Sequence, residues 1–313
     1  MAKVVAYDPR VAESENIRNI SDEYELFLFS RTIKNCSDGT IKFYRDKKSL
    51  IVDWFSSRNL HDLSKITHQD IRLFLGAYQR GHTPNGVFKL FSVFRTFINW
   101  YWEEYDLEIR NPITKIEVAK HKLKPVPGIT LPEINAMIEV AKHHSDFPER
   151  DIAIISVLSE TGIRKKGFCS LRFEDVNIEK GEVSALGKNQ EWSTKTLGNR
   201  SRRALKKYFT RIIGARPSDL IWVDKAGKPI NPEAIRDVLK RLQYACGVEE
   251  PFLFHGFRRF YGLSLYEATG DIYFVSRMLD HSSVEVTKRY LNIEDAEDKA
   301  KAMKYAPLNK RPQ

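Results

Sequence analysis

VNIEKGEVSALGKNQEWSTKTL, residues 176–197, is where the period of the chain changes. Short strand-like runs at 176–178, 183–186 and 192–197 are separated by EKGE and GKNQ, two turn-forming segments that each hold a glycine. The stretch predicts a three-stranded antiparallel meander. Helical patterning follows it, since Asn231 is placed to cap, Pro232 takes the first helical position and Ile235, Val238, Leu239 and Leu242 form an apolar stripe that Gly247 ends. A meander set among helices predicts an α+β domain that is mostly helical.

Upstream, the chain is helical throughout. Ile41, Tyr44, Lys48, Ile51 and Phe55 are spaced 3-4-3-4 with one polar member, which predicts a single amphipathic helix. Thr67 and Asp70 form a capping-box start for Ile71, Phe74, Leu75 and Tyr78. Thr83 and Pro84 open a further helix with the stripe Val87, Leu90, Phe91, Phe94, Ile98 and Tyr101, and Asn111 and Pro112 end it. Lys89 and Arg95 lie off that stripe, open to a polyanion or merely to solvent. Residues 119–128, AKHKLKPVPG, resist helix formation and present Lys120, Lys122 and Lys124, either as a strap along phosphates or as a solvated connector. The expected organisation is a tail over 1–19, a helical domain over 20–118, a basic linker over 119–128 and the α+β domain over 129–313.

Composition narrows the function classes. Of 313 residues 42% are hydrophobic, enough for two folded cores, and 51 Lys and Arg against 41 Asp and Glu give +10, which suits a nucleic-acid partner. Cys36, Cys169 and Cys246 are odd in number and form no CxxC, against a disulfide framework or a zinc site. MAKVVAYDPRVAESE at the start is too polar for a signal peptide, and the apolar run around 152–158 is too short to span a bilayer. A soluble cytoplasmic protein with no membrane partner is expected. The sequence holds no Walker loop, no HExxH and no GxSxG elbow.

The candidate chemistry rests on the joint occurrence of Arg164, Lys188, His255, Arg258, His281 and Tyr290, none of which is persuasive singly. His255 and Arg258 are three apart at the start of a predicted helix, so both face one ligand. As strings, TGIRKKGFCSLRFEDV (161–176), HGFRRF (255–260) and LDHSSVEVTKRYLNI (279–293) resemble, in order and spacing, the three boxes of the tyrosine recombinase and integrase family. The helical segment TPNGVFKLFSVFRTFINWYWEEYDLEIRNP (83–112) is similar to that family's core-binding domain.

The resemblance implies a C-shaped two-domain clamp on duplex DNA and strand exchange through a covalent 3′-phosphotyrosine. No metal or other cofactor and no ATP are called for. Tyr290 takes the place of the nucleophile, His255 of its base, and Lys188, in the β-hairpin, of the acid that protonates the departing 5′ oxygen. Arg164, Arg258 and His281 take the places of the groups around the phosphate. Forked guanidinium donors match the non-bridging oxygens of a phosphate that gains negative charge in the transition state. Ser282 and Glu285 fit a capping box for the helix of Tyr290, and residues 293–305, with Ala296, Ala300 and Ala302, fit either a segment that docks on a neighbour or a polar tail. Four protomers on two paired sites are implied, with a monomer or dimer in the absence of DNA. The chain departs from the family pattern at Gly167, where an acidic residue is usual, at Asp280, where a glycine is common, and at Arg259, where a histidine often stands. The rival readings are a type IB topoisomerase, a non-catalytic DNA-binding relative and an RNA-binding helical protein, the last of which leaves the six residues unexplained.

Overall fold

A computed structural model describes residues 19–119, 128–187 and 191–291. The chain divides into two compact units, Met1–Lys124 and Pro125–Gln313, and each has its own hydrophobic core.

The first unit is helical: α1 (Ile20–Ile33), α2 (Asp38–Arg45), α3 (Lys48–Ser56), α4 (His68–Gln79) and α5 (Pro84–Glu104). Asn19, Thr67 and Thr83 each cap the helix that follows, and Thr67 with Asp70 closes a full capping box. The apolar stripes meet in an aromatic cluster of Phe27, Phe55, Phe74, Phe94 and Phe97, with Phe55 stacked on Phe94 at 5.3 Å. The single helix expected across 41–55 is instead two. In a continuous helix the Tyr44 carbonyl would accept from the fourth residue on, but here it accepts from the Lys47 N–H, three residues on, at 3.0 Å and from the Tyr24 hydroxyl at 2.8 Å, so the turn tightens there. Helix α5 also ends earlier than Asn111: Asp106 enters the left-handed region at φ 43° and the Leu107 N–H reaches back to the Trp102 carbonyl. Asn111 caps a short turn, Pro112–Lys115, instead.

The second unit contains α6 (Leu131–His144), α7 (Pro148–Thr161), α8 (Lys165–Cys169), β1 (Val176–Asn177), β2 (Glu182–Leu186), β3 (Trp192–Thr196), α9 (Asn199–Phe209), α10 (Pro232–Ala245), α11 (Phe254–Thr269), α12 (Ile272–Met278) and α13 (Val284–Leu291). The run 152–158 lies in α7, a helix apolar on most sides because it is central, with Ala153, Ile154, Ile155, Val157 and Leu158 all buried. The meander forms as expected, order β1-β2-β3 and antiparallel, with Val183 opposite Lys195 and Ala185 opposite Ser193. The described residues are thus mainly α with one small antiparallel sheet. Asn231 caps α10 and Gly247 follows its end at φ 79°. From α10, buried Gln243 holds the backbone of Phe252 through two 2.7 Å bonds, which sets the start of α11. No helix among the described residues is long and apolar enough to cross a membrane.

Candidate active site

The three boxes meet through backbone carbonyls. Helix α7 ends on Gly162, at φ 58°, where a Cβ would lie 2.6 Å from the Tyr261 ring, so glycine alone suits the position. The Gly162 carbonyl accepts from Arg258 Nη1 at 2.7 Å. Arg258, on α11 and 3% exposed, also donates through Nη2 to the Leu279 carbonyl. Arg164, just before α8, donates through Nη2 to the Asp280 carbonyl at 2.9 Å. The two guanidiniums therefore grip consecutive carbonyls immediately ahead of His281, and bonds of this kind fix planar donors before any ligand arrives.

His281 lies beside them, with Nδ1 2.9 Å from the buried Thr287 hydroxyl of α13 and its ring 5.4 Å from that of Tyr290. The Tyr290 hydroxyl donates to the His255 carbonyl at 3.0 Å, so in this state the phenol rests on the backbone of its expected base and not on the imidazole. The side-chain bond at the start of α13 comes from Ser283, which accepts from the Val286 N–H, and not from Ser282. Arg259 holds the other end of α13, donating to the carbonyls of Tyr290 at 2.6 Å and Leu291 at 3.2 Å.

Charge shapes the protonation states. Burial and the charges of Arg258 and Arg164 lower the His281 imidazole to about 4, against the opposing pull of Asp280. His255 is lowered by the same causes, partial burial first and then Arg258 and Arg164. Burial and Arg164 bring the Arg258 guanidinium down to about 10, still cationic near neutral pH. Burial raises the Tyr290 phenol above its ordinary value although Arg258, Arg259 and Arg164 all pull it down. The resting site thus holds two fixed cations, two neutral imidazoles and a protonated phenol, a set able to bind a tetrahedral oxyanion and bring an oxygen nucleophile to it.

Five of the six expected residues, Arg164, His255, Arg258, His281 and Tyr290, come together. Lys188 lies outside the described residues, as do Lys120, Lys122, Lys124 and residues 293–305. Lys89 and Arg95 are exposed on α5, Arg95 packing over the Phe91 ring at 5.5 Å. Sequence reading missed Lys195, which is 5% exposed and donates from Nζ to Asp280 Oδ1 at 2.6 Å and to the Met278 carbonyl at 2.7 Å. Its signal was present: alternation along β3 puts Ser193, Lys195 and Leu197 on one face, and a lysine among inward positions demands a partner. Among the described residues, no group of three or more His, Cys, Asp or Glu side chains is placed to hold a metal ion.

A model of the phage integrase family matches residues 128–297. The chain is 26% identical over 268 residues to tyrosine recombinase XerC of Oceanobacillus iheyensis, covering 83% of this chain and 87% of that one. It is 25% identical over 286 residues to XerC of Bacillus subtilis, covering 89% and 93%. Among solved structures, the fold is similar to XerH site-specific recombinase bound to palindromic difH substrate in a post-cleavage complex, with TM-score 0.70, 15% identity and coverage of 91% and 85%. It is similar also to a lambda integrase (75–356) dimer bound to a COC′ core site, with TM-score 0.69, 18% identity and coverage of 87% and 95%.

Proposed function

The chain belongs to the phage integrase family, and from that premise we propose a site-specific DNA recombinase whose nucleophile is Tyr290. The observation that carries this reading is the convergence of Arg164 and Arg258 on the carbonyls of Asp280 and Leu279, beside His281 and within the field felt by Tyr290.

A scissile phosphate held by the two guanidiniums offers its phosphorus to Tyr290 Oη. The phenolic proton leaves to His255, whose lowered pKa keeps it neutral and able to accept. The new bond joins Oη to phosphorus and the bond to the 5′ oxygen breaks, with Lys188 giving that oxygen its proton. Arg164 and Arg258 meet the charge that builds on the non-bridging oxygens. His281, neutral and 2.9 Å through Nδ1 from the Thr287 hydroxyl, serves as a donor to the phosphate in the tautomer that accepts from that hydroxyl and carries its proton on Nε2. The 3′-phosphotyrosine conserves the energy of the broken bond, so a second 5′ hydroxyl reverses the steps on a new strand.

Duplex DNA is the partner. In this reading residues 20–118 form the core-binding portion, with Lys89 and Arg95 toward phosphates. Residues 119–128 are a basic strap contributing Lys120, Lys122 and Lys124, and 129–313 the catalytic portion. Four protomers act across two paired sites.

The test uses duplexes that the protein selects from a random pool, nicked beside the bound region so that cleavage traps the protein. Wild type is expected to form a covalent adduct and Tyr290→Phe none. Arg258→Ala should bind DNA yet cleave about a hundredfold to a thousandfold more slowly, the usual scale for losing a charge-stabilising donor. An adduct with Tyr290→Phe refutes the nucleophile.

A further inference from the structure

Asp280 stands at φ 48°, a region that residues with a Cβ rarely occupy, so something holds it there. Its backbone carbonyl accepts from Arg164 Nη2 at 2.9 Å while its Oδ2 lies 3.6 Å from Arg164 Nη1, so one residue meets both ends of the guanidinium fork. Its other oxygen, Oδ1, accepts from Lys195 Nζ at 2.6 Å and from Ser193 Oγ at 2.7 Å, both on β3. Gly167, three residues after Arg164, cannot provide a carboxylate, because a Cβ there would lie 2.5 Å from the Leu186 carbonyl.

A carboxylate this close to Arg164 has two opposing effects. It fixes the guanidinium plane, which favours catalysis. It also sets a negative charge where negative charge builds on the phosphate, which opposes catalysis. Lys195 resolves the conflict, since an ammonium bonded to the far oxygen leaves the Asp280–Lys195 pair neutral as seen from the phosphate. The buried ammonium is in turn supported by the carboxylate and by the Met278 carbonyl, as a charge removed from water must be.

We propose that Asp280, Lys195 and Ser193 form a positioning unit for Arg164, in which Asp280 orients the guanidinium and Lys195 cancels the charge of the carboxylate that does so. The three are assigned a role that acts through Arg164, which rests on the reading of Arg164 as a phosphate-binding residue. The unit also ties β3 to the segment that leads into His281, through Ser193 and Lys195.

The experiment measures single-turnover adduct formation on the trapped nicked duplexes with the full chain, alongside DNA affinity and melting temperature. Lys195→Met leaves the carboxylate uncompensated and is expected to slow adduct formation about tenfold to a hundredfold, with affinity changed less than about threefold. Adding Asp280→Asn to Lys195→Met should restore about tenfold of that loss, because the offending charge is gone, a coupling that a double-mutant cycle isolates. A double variant as slow as Lys195→Met overturns the charge-cancelling role. Ser193→Ala, a milder change that spares the ion pair, is expected to slow the step about threefold to tenfold with an unchanged melting temperature. A wild-type rate in Ser193→Ala and in either of the other variants overturns the inference, while wild-type protein that forms no adduct on any selected duplex overturns the underlying recombinase reading.

Discussion

An imidazole that packs beside two guanidiniums and faces a buried ammonium has little reason to take a proton. His281 is held down to about 4 by burial, Arg258 and Arg164, and the sign of the consequence follows from linkage. The unfolded chain takes up a proton near the ordinary value of 6.5 and the folded one does not, so unfolding gains a proton as the pH drops. The stability contributed is complete above about 6.5 and is lost as the pH falls toward 4. His255, lowered from the same ordinary value, adds to the loss at the upper end of that window. Burial works against ionisation of Asp280, but its bonds from Lys195 and Ser193 outweigh it and keep that carboxyl below its usual value, so it titrates in a lower range. Urea midpoints at pH 7, 5.5 and 4.5 are expected to fall more steeply for wild type than for His281→Gln, which cannot titrate. Parallel curves would show that the imidazole already titrates normally.

At the scale of elements, Tyr290, the proposed nucleophile, is carried by an eight-residue helix fastened at both ends from within the same chain. Ser283 closes the start of α13 and Arg259 takes the last two carbonyls, while Gly262 on α11 leaves room for Leu291, whose Cδ2 would lie 3.0 Å from a Cβ at that position. Arg259→Ala is expected to free the end of the helix, to speed amide exchange at Tyr290 and Leu291, and to slow adduct formation about tenfold to a hundredfold, the scale of a misplaced reacting group. Unchanged exchange with an unchanged rate sinks the clamp. Arg259 also shows where sequence reading stopped. The elements were legible because their signals are local: Thr67 with Asp70, Asn231 with Pro232, and the alternation of 183–186 are each read within a few residues. The break at Asp46 was not, because the Tyr24 hydroxyl that bonds the Tyr44 carbonyl at that turn comes from 20 residues away. In the site the motif residues were legible, but what fixes them is the main chain at Gly162, Leu279, Asp280, Tyr290 and Leu291, and a carbonyl acceptor leaves no trace in residue type. Lys195 was passed over because a lysine in a short strand is ordinarily read as facing water.

For the whole molecule, a net charge of +10 is spread over two units with separate cores, and the question is which cations meet DNA. Each phosphate neutralised by a lysine or arginine releases condensed counterions, so the logarithm of affinity falls with the logarithm of salt by about 0.9 per contact. The slope therefore counts contacts without a structure of the complex. If Lys120, Lys122 and Lys124 all lie along phosphates, replacing the three with alanine should flatten the slope by about 2.7, the sum of three such contacts. A connector merely bathed in solvent leaves the slope where it was and lowers affinity slightly through the loss of long-range attraction. Lys89→Ala with Arg95→Ala should flatten it by about 1.8 on the same accounting if α5 also faces the duplex. Because phosphate contacts carry no sequence information, the two sets should alter affinity equally on selected and on random duplexes. A set that weakens binding to the selected duplex alone reads bases, and that outcome would move it from the phosphate-binding surface to the specificity surface.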